Sequence, residues 1–219
     1  MDDFSKTQTT GSIVTSFPKT AEILKRHKID FCCGGDRSLE EAADPITAEI
    51  VLKELNDAIL QTKDRDATIR DLSSLSKIEL IEHIQSTHHT YMKKALPELD
   101  EYITRVLKAH GINHRELFTV HKLYNNLRTE IEQHLLKEEE LLFPSIKADI
   151  HDSDILHEIT KEHEAAGDIL KELRKRTNDY SVPPDGCTTY RIAYEKLEEM
   201  ENDLFMHIHT ENNILFKGM

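Results

Sequence analysis

Two segments of this sequence share a chemical makeup and a spacing: His134-Leu135-Leu136-Lys137-Glu138 and His207-Ile208-His209-Thr210-Glu211. Each puts a glutamate four residues after a histidine. On an α-helix such a pair shares one face. The flanking apolar residues say which face it is. Leu127, Ile131, His134, Glu138 and Leu141 advance in steps of four and three, and so do Ala193, Leu197, Met200, Leu204, His207, Glu211 and Ile214. Both pairs therefore stand where the period expects buried side chains. Burying an imidazole and a carboxylate costs on the order of several kcal/mol unless something compensates them. Two such pairs on inward faces point to metal held between helices rather than to two unrelated ion pairs.

The same periodicity filters the 13 histidines. His88 continues the series Ile81, Ile84 and runs on to Tyr91 and Ala95, while His163 stands between Ile159 and Ala166. His89, His121, His157 and His209 fall off their stripes, and His83 lies beside one. His110, His114 and His151 fall in or near connections, and His27 belongs to the N-terminal region. The candidate ligands are then His88, His134, Glu138, His163, His207 and Glu211. Four imidazoles and two carboxylates are too many for one tetrahedral zinc. They suit two transition-metal ions bridged by both glutamates and by a solvent-derived oxo or hydroxo group. Affinity alone does not select iron. Use favours it, because an open di-iron pair can bind or reduce O₂, NO or peroxide.

The elements that must position these residues are long helices. A capping box at Ser76–Glu79 opens the first, which runs to His110-Gly111 with Pro97 expected to kink or split it. The others are expected over about 114–142, 154–176 and 188–216, with Pro183-Pro184-Asp185-Gly186 as a loop. This is an all-α fold, an up-down-up-down four-helix bundle over 76–219. Before it, residues 61–75 read as a polar linker, and 1–60 as a small domain of three short helices after a frayed start. In that domain Ser38–Glu41 is a capping box, Pro45 ends one helix and Thr47 caps the next.

Cys32-Cys33 lies in the turn Ile29-Asp30-Phe31-Cys32-Cys33-Gly34-Gly35. Adjacent cysteines bridge only with strain, so two free thiols are expected, able to bind a soft metal or exchange with a disulfide. Cys187, alone at the start of the fourth helix, reads as structural. Three cysteines make no disulfide framework and fit a reducing compartment. A net charge of −13 argues against nucleic acid as a partner. No apolar run approaches the roughly 18 residues of a membrane span, and the N-terminus lacks the order of a signal peptide. A cytoplasmic location is expected.

The chain resembles the repair-of-iron-centres proteins, and among them the staphylococcal-type members. The resemblance rests on the Ile29–Gly35 segment, on Glu162-His163-Glu164-Ala165-Ala166-Gly167, on Gly186-Cys187-Thr188-Thr189-Tyr190 (where Trp is usual at the last position) and on His207 through Phe216. It implies a hemerythrin-like bundle, a di-iron cofactor on the six residues selected above, and repair of iron–sulfur clusters damaged by nitrosative or oxidative stress. It also implies roles near the metals for Glu130 and Glu162, as a proton or iron path, and supports iron or thiol transfer by Cys32 and Cys33. Expected partners are damaged iron–sulfur proteins, with NO or O₂ as small ligands, and a homodimer is open. Three functions compete: iron donation to damaged clusters, reduction of NO to N₂O, and reversible carriage or sensing of O₂ or NO.

Overall fold

Helices build the computed structural model, which describes residues 3–62, 72–150 and 152–219. Among the described residues there is no strand, only an isolated bridge between Thr9 and Ser38. Nor, among them, is any helix long and apolar enough to cross a membrane. Two compact units emerge: Met1–Leu80 together with Met206–Met219, and Ile81–Phe205. Most of the expected linker, 63–71, falls outside the described residues.

The first unit opens with order where fraying was expected. Phe4 is buried, and its backbone N–H donates to Asn56 Oδ1 at 2.7 Å. Burying a phenyl ring contributes about 1.5–3 kcal/mol, which offsets the ordering of about one or two residues. Helix α1 (Thr10–Ser16) was not anticipated; Thr9 caps it by accepting from the Ser12 N–H at 3.3 Å. Next come α2 (Thr20–Arg26) and α3 (Leu39–Ala42), the latter started by the expected Ser38–Glu41 capping box. Helix α4 (Pro45–Thr62) begins two residues earlier than Thr47. Asp44 Oδ1 accepts from the N–H groups of Ile46 and Thr47 at 3.1 and 3.2 Å. Pro45 thus takes the first helical position, where its missing N–H costs nothing.

The end of the chain packs within this same unit. His209 Nδ1 donates to the Phe31 carbonyl at 3.1 Å, and Asn213 Nδ2 donates to the Cys32 carbonyl at 3.0 Å. The approach is close enough to demand glycine. A Cβ on Gly35 would lie 2.6 Å from the Phe31 carbonyl oxygen. Gly35→Ala is therefore expected to cost roughly 1–3 kcal/mol by overpacking. Amide hydrogen exchange should accelerate together in 29–35 and 207–216; unchanged protection in both would refute the close-packing account.

In the second unit, α5 (Lys77–Ile84) enters at Ile81, after the expected capping box: the Ser76 N–H donates to Glu79 Oε2 at 2.9 Å. There follow α6 (Thr90–His110), α7 (Glu116–Lys137), α8 (Phe143–Lys147), α9 (Ser153–Thr177) and α10 (Thr188–Thr210), the last leaving the unit after Phe205. Pro97 lies inside α6 without splitting it. Helix α7 runs against α6 through Asp100–Arg128 at 3.2 Å, and against α9 through Lys137–Glu158 at 2.6 Å. Helix α10 closes the ring, on α9 through Arg174–Glu201 at 2.9 Å, on α6 through Glu98–Lys196 at 3.1 Å, and on the turn just before α6 through His88–Asp203 at 3.0 Å. Numbers rise along one helix as they fall along its neighbour, which is the expected up-down-up-down bundle.

Three single π-helical turns interrupt these helices: Gln85–His89, Glu138–Leu142 and Glu211–Leu215. In each, a backbone N–H reaches the carbonyl five residues back: Thr90 to Gln85, Phe143 to Glu138, Phe216 to Glu211. Each turn holds one residue more than an α-turn, so every side chain beyond it is rotated relative to the 3.6-residue period. After Ile81 and Ile84 the inward series becomes His89, Met92, Leu96 and Leu99; Tyr91 and Ala95 are only half-buried, and His88, though buried, turns to Asp203. After Glu138 it is Leu142 (1% exposed) and not Leu141 (52%) that is buried. After Glu211 it is Leu215 and not Ile214.

Candidate metal centre

Within the four-helix unit, four of the side chains considered above converge on one another. Glu138, wholly buried, begins the second π turn. One of its oxygens lies 3.4 Å from His134 Nε2 and the other 3.3 Å from His89 Nε2. His163, on α9, brings its Nε2 to 3.2 Å from His134 Nε2. Donor atoms of His134, Glu138 and His163 all lie within 4.8 Å of one another.

The far sides of two imidazoles are held by carboxylates, and each carboxylate by a lysine. His134 Nδ1 faces Glu162 Oε2 at 2.9 Å, and Lys137 donates to the other oxygen of Glu162. His89 Nδ1 faces Glu139 Oε1 at 2.8 Å, and Lys93 donates to Glu139 at 2.7 and 2.8 Å. The hydrogen bond from His134, opposed by burial and reinforced by Lys137, pulls the Glu162 carboxyl down to about 2. Burial opposes ionisation of Glu139, but Lys93 and His89 outweigh it and hold the group below the usual carboxylate range. Ionised carboxylates at Nδ1 fix the Nδ1–H tautomer, so the Nε2 lone pairs of both histidines point at the oxygens of Glu138. Lone pairs facing a buried carboxylate repel it unless a cation lies between them. The separations suit that reading: two donors each about 2.1 Å from a shared cation stand about 3–3.4 Å apart.

In the other unit the second pair has the same form. His207 Nε2 lies 3.2 Å from Glu211 Oε1, both side chains wholly buried, and Glu211 begins its own π turn. Both His-x-x-x-Glu repeats thus end on a π turn whose first residue is the glutamate.

His88 is not brought into the cluster. The extra residue of the Gln85–His89 turn carries it round to Asp203, and its neighbour His89 takes the inward place. Glu130, expected near the metals, is exposed on α7 and is not among the converging donors. Glu162 does reach the site, through His134. What the sequence reading missed was His89, Glu139 and the two lysines. A His-His pair with either member available was visible; the π turn that chooses between them was not.

Residues 80–217 match the hemerythrin HHE cation binding domain, and residues 6–59 match an N-terminal domain of unknown function, ScdA_N. An iron–sulfur cluster repair protein ScdA of Staphylococcus haemolyticus is 33% identical over 215 residues, covering 94% of this chain and 95% of the relative. The ScdA of Staphylococcus epidermidis is 32% identical, covering 97% and 98%. The iron–sulfur cluster repair protein YtfE of Escherichia coli O157:H7 is 30% identical, covering 95% and 94%. The chain belongs to the iron–sulfur cluster repair family. Its hemerythrin HHE region carries every residue of both His/Glu sets, and its ScdA_N region carries the paired thiols.

In this repair-family chain Cys32 and Cys33 are free, with sulfurs 4.0 Å apart. Asp30 Oδ1 accepts from both backbone N–H groups, at 2.9 and 3.1 Å. The hydrogen bond with Cys33, together with burial, pushes the Cys32 thiol well above its ordinary range. Cys187, expected to be structural, is exposed and lies 3.3 Å from His110 Nε2. That hydrogen bond, with backbone N–H groups of Tyr190 and Thr189, lowers its pKa to about 7. Cys187 should therefore alkylate half-maximally near pH 7, the rate rising as the thiolate forms, and His110→Ala should move that midpoint upward. Peptide-resolved iodoacetamide labelling across pH 5–9 measures it, and a midpoint in the range of an ordinary thiol would count against the His110 contact.

Proposed function

We propose that this chain holds two iron ions on His89, His134, Glu138, His163, His207 and Glu211 and gives iron to iron–sulfur proteins damaged by nitrosative or oxidative stress. The observation that carries the iron-binding half is Glu138 set between two histidine nitrogens whose tautomers are fixed by Glu139 and Glu162. The repair half follows from similarity to relatives named iron–sulfur cluster repair proteins over nearly the whole chain. Bound iron would supply a Lewis-acidic, redox-active centre open to small ligands such as NO or O₂.

The chain's own residues divide the task. Glu139 and Glu162 orient the imidazoles, and Lys93 and Lys137 keep those carboxylates ionised. The backbone of the cysteine turn is tied to the helical stretch that carries one ligand pair: the Phe31 and Cys32 carbonyls accept from His209 and Asn213, on the same stretch as His207 and Glu211. His209, driven down to about 4 by burial, stays neutral at physiological pH and serves as a fixed donor. We assign Cys32 and Cys33 the part of receiving iron. Cys32, held as a thiol, becomes a ligand only when it gives up its proton, so transfer and proton release are coupled.

The test uses an iron–sulfur enzyme inactivated by NO. The iron-loaded full chain should restore its activity, and Cys32→Ser/Cys33→Ser should retain iron but restore activity at least about tenfold more slowly. Recovery no faster than with free ferrous iron would overturn the donation reading. Steady N₂O formation with excess reductant would replace it with NO reduction.

A further inference from the structure

At the opposite end of α6 from His89, a second group of ligating side chains comes together, none of them part of the metal centre above. Three segments of the four-helix unit contribute. His110 is the last residue of α6, His114 lies in the connection to α7, and Asp185 and Cys187 lead into α10. Donor atoms of His110, His114 and Asp185 all lie within 4.8 Å of one another. His114 Nε2 approaches both oxygens of Asp185, at 3.0 and 3.1 Å, and His110 Nε2 lies 3.3 Å from Cys187 Sγ.

The group has the supports that metal-ligating histidines require. His114 Nδ1 faces Glu116 Oε1 at 3.2 Å, which leaves Nε2 turned toward Asp185. The ring of Tyr190 stands edge-on to both imidazoles, 5.3 Å from His110 and 5.9 Å from His114, and so fixes their planes. The two nitrogens and the carboxylate oxygen are close enough together to share one ion, and Cys187 Sγ, 3.3 Å from His110 Nε2, stands beside them as a fourth donor; two nitrogens, a carboxylate oxygen and a thiolate suit a borderline-soft tetrahedral ion. Helix α6 has 21 residues, so at about 1.5 Å per residue this end lies roughly 30 Å along the helix from His89. The two groups cannot share an ion.

We propose that this cluster is a separate binding site for a divalent cation of the zinc class, with His110, His114, Asp185 and Cys187 as ligands. The ion takes the Cys187 thiolate, so any proton still on the thiol leaves as the metal–sulfur bond forms. The ion would tie the α6–α7 connection to the start of α10, and because Asp185 and Cys187 are exposed it can enter from solvent.

The test uses the iron-loaded full chain in a Cys32→Ser/Cys33→Ser background, so that Cys187 is the sole thiol. Zinc is added with the iron content followed in parallel. Expected are one tightly bound zinc per chain, unchanged iron, and at least about tenfold slower alkylation of Cys187. Cobalt in place of zinc should give a thiolate charge-transfer band near the ultraviolet. His114→Ala and Asp185→Ala should each abolish the zinc protection while circular dichroism and iron content stay as they were. Equal alkylation with and without zinc would overturn the proposal. So would protection that survives both variants, since it would reduce the site to the His110–Cys187 contact. If a variant unfolds, Asp185→Asn supplies the same test with the amide's geometry retained.

Discussion

His89→Leu should sharply lower the iron bound per chain of the purified protein, and His88→Leu, one residue away, should leave it unchanged. The expectation follows from backbone hydrogen bonding. Along α5 the inward series is Ile81 and Ile84, and an uninterrupted helix would put His88 next. Instead the Thr90 N–H reaches the Gln85 carbonyl, and the turn takes in one more residue. His88 is rotated toward Asp203, 3.0 Å from its Nδ1, and His89 Nε2 stands 3.3 Å from Glu138. Leucine at 89 removes a nitrogen donor and leaves Glu138 and Glu139 without the imidazole between them. A buried carboxylate left so costs on the order of several kcal/mol. At 88 the change removes the hydrogen bond to a half-buried aspartate and the ring contact with His83, and takes no donor from Glu138. Iron per chain, measured by elemental analysis on variants grown together in iron-rich medium, decides between the two. Iron lost from His88→Leu and kept by His89→Leu would return the inward place to His88.

The same three turns explain what the sequence did and did not disclose. The repeated His-x-x-x-Glu was legible because a residue period of 3.6 describes α7 and α10 well up to the glutamate. Past it the period fails by one residue each time, and so Leu141, Ile214 and His88 were placed inward where Leu142, Leu215 and His89 stand. A π turn leaves no mark in hydrophobic spacing, because it is one extra residue in the backbone hydrogen-bond ladder and not a change of residue type. The packing of Phe31 and Cys32 against His209 and Asn213 was illegible for a different reason. It joins residues 178–182 apart in sequence, and no local pattern encodes which helix end a glycine-rich turn will meet. Other differences were readable. Asp44-Pro45 is an N-cap followed by a first-turn proline, and Thr9 with Ser12 has cap spacing.

Arg174→Met should lower the stability of the four-helix unit by about 3–5 kcal/mol, the usual loss when one member of a buried ion pair is removed. Glu201 is wholly buried on α10. Arg174 Nε donates to its Oε1 at 2.9 Å, a second guanidinium N–H reaches Oε2, and the Tyr180 hydroxyl donates to Oε1 at 3.2 Å. The network also holds backbone strain. Asn178, Asp179 and Tyr180 all have left-handed φ, 51°, 54° and 56°, a conformation that costs non-glycine residues roughly 1–2 kcal/mol apiece. Arg174 spans that turn: its guanidinium lies 4.9 Å from the centre of the Tyr180 ring, and Nη1 donates to Asp179 at 3.3 Å. Methionine fills the volume of the arginine stem but leaves the Glu201 carboxylate with a tyrosine hydroxyl in place of a cation. At roughly 2–4 °C per kcal/mol for a chain of this size, the melting temperature should fall by about 6–20 °C. Arg174→Met/Glu201→Leu should recover most of the loss, because an apolar pair of similar volume carries no desolvated charge. Thermal unfolding of both variants followed by circular dichroism measures this. A double variant no more stable than the single one would show that the pair acts through the left-handed turn and not through the charge buried beneath it.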